Sequence, residues 1–114
     1  MKNLNLLFFL IACYLPTPFF AQIDLLPELE EIAVVDEKVM MPMRDGIRLA
    51  TDIYRPKTDL PVPIIFSKTP YNFNSWGDGE RRTRTARRAY EAVKRGYAYV
   101  VQNERGRYYS EGEW

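Results

Sequence analysis

The chain has 114 residues, enough for one small domain, with 16 basic against 15 acidic side chains, a single cysteine and no histidine. Without histidine no Ser-His-Asp triad can be built from these residues, and a zinc site of the usual kind is excluded as well. The near-zero charge offers no general attraction to nucleic acid or to an anionic membrane.

The first 21 residues read as a secretory signal peptide. Lys2 opens it, an apolar run follows from Leu4 to Leu15, Pro16 and Pro18 break it, and Ala21 precedes Gln22. The run is shorter than the roughly 20 apolar residues that span a bilayer. A second reading takes "LIAC" as a lipobox, with Cys13 carrying the lipid. On either reading the protein is exported, periplasmic or extracellular in a bacterium. Removing the first 21 residues leaves 93, with 15 basic and 15 acidic groups and no cysteine, so export brings no disulfide framework.

Residues 22–33, "QIDLLPELEEIA", are expected to be a short amphipathic lead-in broken by Pro27, and residues 34–114 the domain proper. In "VVDEKVMMPMRDGIRLATDIYRP", Val39, Met41 and Met43 alternate before Asp45-Gly46, and Ile47, Leu49, Thr51 and Ile53 alternate after it. That pattern predicts a hairpin closed by a two-residue primed turn. A proline-rich loop follows. "PIIFS" is then expected as a third strand, buried on both faces because its apolar run is unbroken. Asp78 is a candidate N-cap for a helix over residues 80–95. Ala86, Ala89, Tyr90 and Val93 fall on one helical face, and Gly96 stands where a C′ glycine belongs. "YAYVV" supplies a fourth strand. Strand, helix and strand joined by short loops make a parallel crossover. The fold class is therefore α/β, the start of a doubly wound sheet with an antiparallel hairpin at its edge.

The helix carries Arg81, Arg82, Arg84, Arg87, Arg88, Lys94 and Arg95. A phosphate-binding stripe is one reading. The solvated face of an amphipathic helix, with Glu91 paired to Arg87 or Arg95, is the reading preferred, and no nucleic-acid partner is expected. Ser67 and Ser110 lie near strand ends, yet neither sits in Gly-x-Ser-x-Gly and neither has a base. Ser67 and Lys68, as strand neighbours, point to opposite sides. "DGE" and "SEGE" lack the spacing of a calcium loop, so no metal or other cofactor is expected. Trp76 and Trp114 have two readings, lining a pocket or covering a core edge, and the second is preferred.

Thr69-Pro70-Tyr71-Asn72 is the candidate site. Pro70 biases Thr69 towards an extended backbone and fixes its own φ, so Tyr71 leaves the third strand at a set angle. The loop after that strand is where hydrolases on a doubly wound sheet supply one oxyanion donor. A phenol, protonated at neutral pH, can be such a donor. The residues alone leave two readings of Tyr71, an oxyanion donor and an ordinary packed tyrosine.

Three blocks together, "PMRDGIRLATDIYRP" (residues 42–56), "KTPYN" (68–72) and "GYAYVVQNERGRYYSEGEW" (96–114), resemble the N-terminal part of the Xaa-Pro dipeptidyl-peptidase and cocaine-esterase-like (CocE/NonD) serine hydrolases. That group also includes α-amino acid ester hydrolases and glutaryl acylases. The resemblance implies an α/β-hydrolase fold of several hundred residues that cleaves ester, amide or Xaa-Pro peptide bonds of small-molecule substrates through an acyl-enzyme. By position it assigns Tyr71 the side-chain donor of the oxyanion hole and makes Arg105-Gly106 a structural turn. Where the family often has Asp this chain has Asn103, which is expected to alter only a loop contact. Phe73 stands where the amino-ester branch has a carboxylate for the substrate ammonium, which argues against an α-amino ester. The nucleophilic Ser and the triad Asp and His follow later in the family. The chain is thus expected to be an N-terminal fragment, inactive and poorly stable by itself; a small secreted binding module is the alternative. Substrate identity and oligomeric state are not fixed by these residues.

Overall fold

In a computed structural model of the chain, residues 25–73 and 79–114 are described, without the side chains of residues 79–83. The signal segment with Cys13, and Trp76 and Asp78, lie outside the described residues. Six elements follow in order: α1 (Leu26–Ile32), β1 (Ala33–Pro42), β2 (Arg48–Pro56), β3 (Ile64–Thr69), α2 (Gly79–Lys94) and β4 (Ala98–Asn103). The strands form one sheet in the order β1-β2-β4-β3. β1 runs antiparallel to β2 and β2 antiparallel to β4, while β3 and β4 are parallel, as the crossover requires.

Pro27 does not break the lead-in. It lies in the first turn of α1, where its missing N–H costs no hydrogen bond. The helix then buries Leu26 and Leu29 in the same core as Ala86, Ala89, Ala92 and Val93 of α2 and Tyr54, Tyr99 and Val101 of the sheet. Three alanines on the buried face of α2 let its backbone come close to the sheet, and its cationic residues from Arg84 onward are exposed. Glu91 pairs with Arg95 at 3.7 Å, one turn on. The helix ends as expected at Gly96, whose φ is +85°. Tyr97 N–H reaches Ala92 O at 3.0 Å and Gly96 N–H reaches Val93 O at 2.9 Å, the two bonds of a Schellman motif.

The hairpin forms, but with a different turn. Gly46 N–H bonds Met43 O at 3.0 Å, Met43 N–H bonds Ile47 O at 2.7 Å, and only Gly46 of the loop has a positive φ, +84°. This is a three-residue loop with glycine in the left-handed position. Asp45 has no need of positive φ; its carboxylate instead accepts Ile47 N–H at 3.2 Å. β2 is not one-sided either. Leu49, Ala50, Thr51, Asp52 and Tyr54 are all buried, on both faces of a strand that lies between β1 and β4. Its polar members are matched: Thr51 Oγ1 accepts Gln102 Nε2, and Asp52 Oδ1 accepts Lys38 N–H at the bulge in β1.

β3 overturns one expectation. Ile64, Ile65 and Phe66 are 64%, 42% and 55% exposed rather than buried on both faces. The strand stands at the end of the sheet with β4 on one side, and among the described residues no further layer covers it. β4, by contrast, is buried along nearly its whole length, as an inner strand should be.

Candidate active site

β3 and β4 end level with each other, Thr69 opposite Asn103, and the Pro70-Tyr71 turn leaves from that end. Hydrogen bonds hold the backbone of the turn at Thr69 and Tyr71. Tyr71 N–H donates to Thr69 Oγ1 at 3.1 Å. Thr69 O accepts Glu104 N–H at 3.1 Å and Asn103 Nδ2 at 3.2 Å, and Tyr71 O accepts Asn103 Nδ2 at 2.9 Å. With Pro70 fixing its own φ, the Tyr71 backbone is set from both sides. Its side chain is 76% exposed, so Tyr71 is no packed core tyrosine.

Beside it lies a cleft of about 440 Å³ lined by Ser67, Thr69, Tyr71, Asn72, Arg84 and Tyr108, among others. Lys68 opens into a separate cleft with Asp45 and Arg105, so Ser67 and Lys68 do face apart and form no nucleophile–base pair. Phe73 is half-buried and packs against the hydrophobic core. Ser110 is buried: its Oγ accepts Ala50 N–H at 2.9 Å and donates to Asn103 O at 3.1 Å, which makes it a tie between β2 and β4. Trp114 does not cover a core edge. It is 75% exposed, with the Arg107 guanidinium stacked 3.4 Å from its ring centre.

The loop after β4 is tied back to the hairpin by charge. Arg48 holds the Glu111 carboxylate through its backbone N–H at 2.9 Å and through Nε at 3.0 Å, and these bonds keep the Glu111 pKa below the usual glutamate range. Arg105 Nη2 meets Asp45 Oδ2 at 2.6 Å, and that bond, with the Ile47 N–H, likewise lowers the Asp45 carboxyl. Gly106, at φ +67°, leaves no room for a Cβ, which would come within 2.6 Å of Trp114 N. Arg105-Gly106 is structural, in line with the resemblance.

Asn103 was undervalued by the sequence. It is fully buried and makes both side-chain bonds to the tyrosine turn, more than an incidental loop contact. The one sequence signal for it was the exchange with the family's aspartate, which says nothing of what the amide reaches.

A mixed sheet with an antiparallel hairpin on one side, a parallel strand–helix–strand crossover on the other and a tyrosine turn at the end of the edge strand defines the opening of an α/β-hydrolase. The chain belongs to the X-Pro dipeptidyl-peptidase (S15) family, whose model matches residues 45–114. It is 44% identical over 81 residues to the cocaine esterase of Rhodococcus sp. (strain MB1 Bresler), a match covering 70% of this chain and 13% of that protein. Among solved structures, an α-amino acid ester hydrolase superposes with a TM-score of 0.57 at 30% identity, over 86% of this chain and 17% of its own. An aminopeptidase from a marine sediment archaeon, Thaumarchaeota archaeon, gives 0.56 at 28% identity, over 89% of this chain and 16% of its own. The chain therefore spans less than a fifth of the relatives it matches.

Proposed function

We propose that the chain is the N-terminal part of an exported serine hydrolase that cleaves ester or amide bonds, Xaa-Pro peptide bonds among them, through an acyl-enzyme. Its catalytic contribution is the Tyr71 hydroxyl. In such a reaction a serine attacks the substrate carbonyl, and negative charge gathers on the carbonyl oxygen. A phenol held at that point donates its O–H without being deprotonated, since its ordinary pKa is about 10. One donor of this kind stabilises the transition state by about 3–4 kcal/mol. The nucleophile and its Asp and His belong to the part of the protein beyond Trp114.

The observation that carries this reading is the exposed Tyr71 side chain on a turn whose backbone is fixed at the strand end, in a chain of a family of hydrolases. The exposed apolar residues of β3, which point to both faces, fit the same reading, since a parallel sheet is ordinarily covered on both faces. Phe73 packs against the core, and no carboxylate lines the cleft beside Tyr71 among the described residues, so a neutral ester or amide is favoured over an α-amino ester. Export rests on residues 1–21. The small-molecule substrate is the only partner the reading requires.

Labelling the full-length protein with a fluorophosphonate tests the assignment. The adduct is expected on a serine beyond Trp114, with a mature N-terminus at Gln22. An adduct on Ser67 or Ser110, or none at all, would overturn the acyl-enzyme reading.

A further inference from the structure

We infer that Asn103 is the positioning residue of the oxyanion hole, acting by clamping the turn that carries Tyr71; this deepens, and rests on, the oxyanion reading of Tyr71. Its Nδ2 bonds two carbonyls of one turn, Thr69 O at 3.2 Å and Tyr71 O at 2.9 Å, so it brackets the Pro70 peptide from both sides. A primary amide has two N–H donors, and both are spent here. Asn103 Oδ1 is buried with no hydrogen-bond partner among the described residues. Leaving an acceptor unpaired in the interior costs stability.

The clamp is itself anchored. Asn103 is the last residue of β4, fully buried, and its carbonyl takes the Ser110 hydroxyl, which in turn takes Ala50 N–H from β2. A chain of bonds thus runs from the middle of the sheet to the Tyr71 backbone. An exposed phenol on a bare turn would sample several positions, and donors aimed at a developing oxyanion act through being fixed beforehand. Asn103 touches neither substrate nor hydroxyl; it fixes where the hydroxyl starts from. In this chain neither an alanine nor an ionised aspartate could make these two bonds, because neither has an N–H to give.

A double-mutant cycle in the full-length hydrolase decides the matter, read as kcat and KM on an aryl ester. Asn103→Ala and the volume-matched Asn103→Asp are each expected to lower kcat about 10- to 100-fold with KM little changed. In a Tyr71→Phe background the same replacements should change kcat less than about twofold, since the hydroxyl they position is gone. Asn103→Asp keeps the test alive if the alanine variant fails to fold, which a lost cooperative melt would reveal. An undiminished kcat in both Asn103 variants, or an equal loss with and without the Tyr71 hydroxyl, overturns the clamp while leaving Tyr71 in its role. A Tyr71→Phe enzyme of full activity overturns the oxyanion reading and the clamp with it.

Discussion

Glu111 is bound to Arg48 at both ends: one carboxylate oxygen takes the arginine's backbone N–H and the other takes its guanidinium. The glutamate pKa is lowered chiefly by the guanidinium bond, then by the backbone N–H. A carboxyl whose folded pKa lies below its unfolded value adds stability above the unfolded value and loses it as pH falls through the folded one. Stability is therefore expected to drop as the pH falls through and below the ordinary glutamate range. Glu111→Gln should flatten that slope, and wild type and variant should converge at the acid end. Both groups are largely exposed, so salt should shrink the difference; thermal melts across pH at two ionic strengths measure it.

Ser110 lacks both the elbow motif and a base in the sequence, and the fold gives it a structural part instead. In the fold its hydroxyl ties Ala50 N–H to Asn103 O in the interior. Ser110→Ala leaves both groups unpaired and is expected to cost about 1–3 kcal/mol by denaturant titration. The variant enzyme should still form an acyl-enzyme with an aryl ester.

Gly106→Ala puts a Cβ against the backbone of Glu113 and Trp114 at a φ of +67°. Left-handed backbone alone costs a non-glycine residue about 1–3 kcal/mol, and the contact adds to it. A melting temperature lowered by several degrees checks this; an unchanged one would mean that the loop after β4 relaxes freely.

Leu29 is fully buried between α1 and the core, although the lead-in looked separable. Leu29→Ala should destabilise by about 2–5 kcal/mol, the range for emptying a packed leucine site. A silent substitution would return α1 to the status of a tether.

Much of the architecture was legible because local rules and tertiary packing agreed. The α2 face of Ala86, Ala89, Tyr90 and Val93 and the Gly96 cap followed from periodicity and from the steric freedom of glycine. The parallel pairing of β3 with β4 followed from chain connectivity. What failed was burial. Ile64-Ile65-Phe66 reads as an interior strand, and composition cannot say whether the covering layer is present. The Asp45-Gly46 pair fits two hairpin loops, and only the Met43–Gly46 bond tells them apart. The fixed turn at Tyr71 was legible through Thr69-Pro70, while the role of its hydroxyl is a proposal that the family resemblance suggested. Asn103 was not, because its partners stand 32 and 34 residues away and no pattern of spacing links an amide to carbonyls across a sheet.

The account turns on the phenolic O–H of Tyr71. Steady-state kinetics of Tyr71→Phe in the full-length enzyme test it most directly, since the change removes one oxygen and keeps the ring. The expected result is a kcat lower by about 10²- to 10³-fold with KM nearly unmoved, the signature of a donor used in the transition state alone. A variant that turns over an aryl ester at the wild-type rate would contradict it.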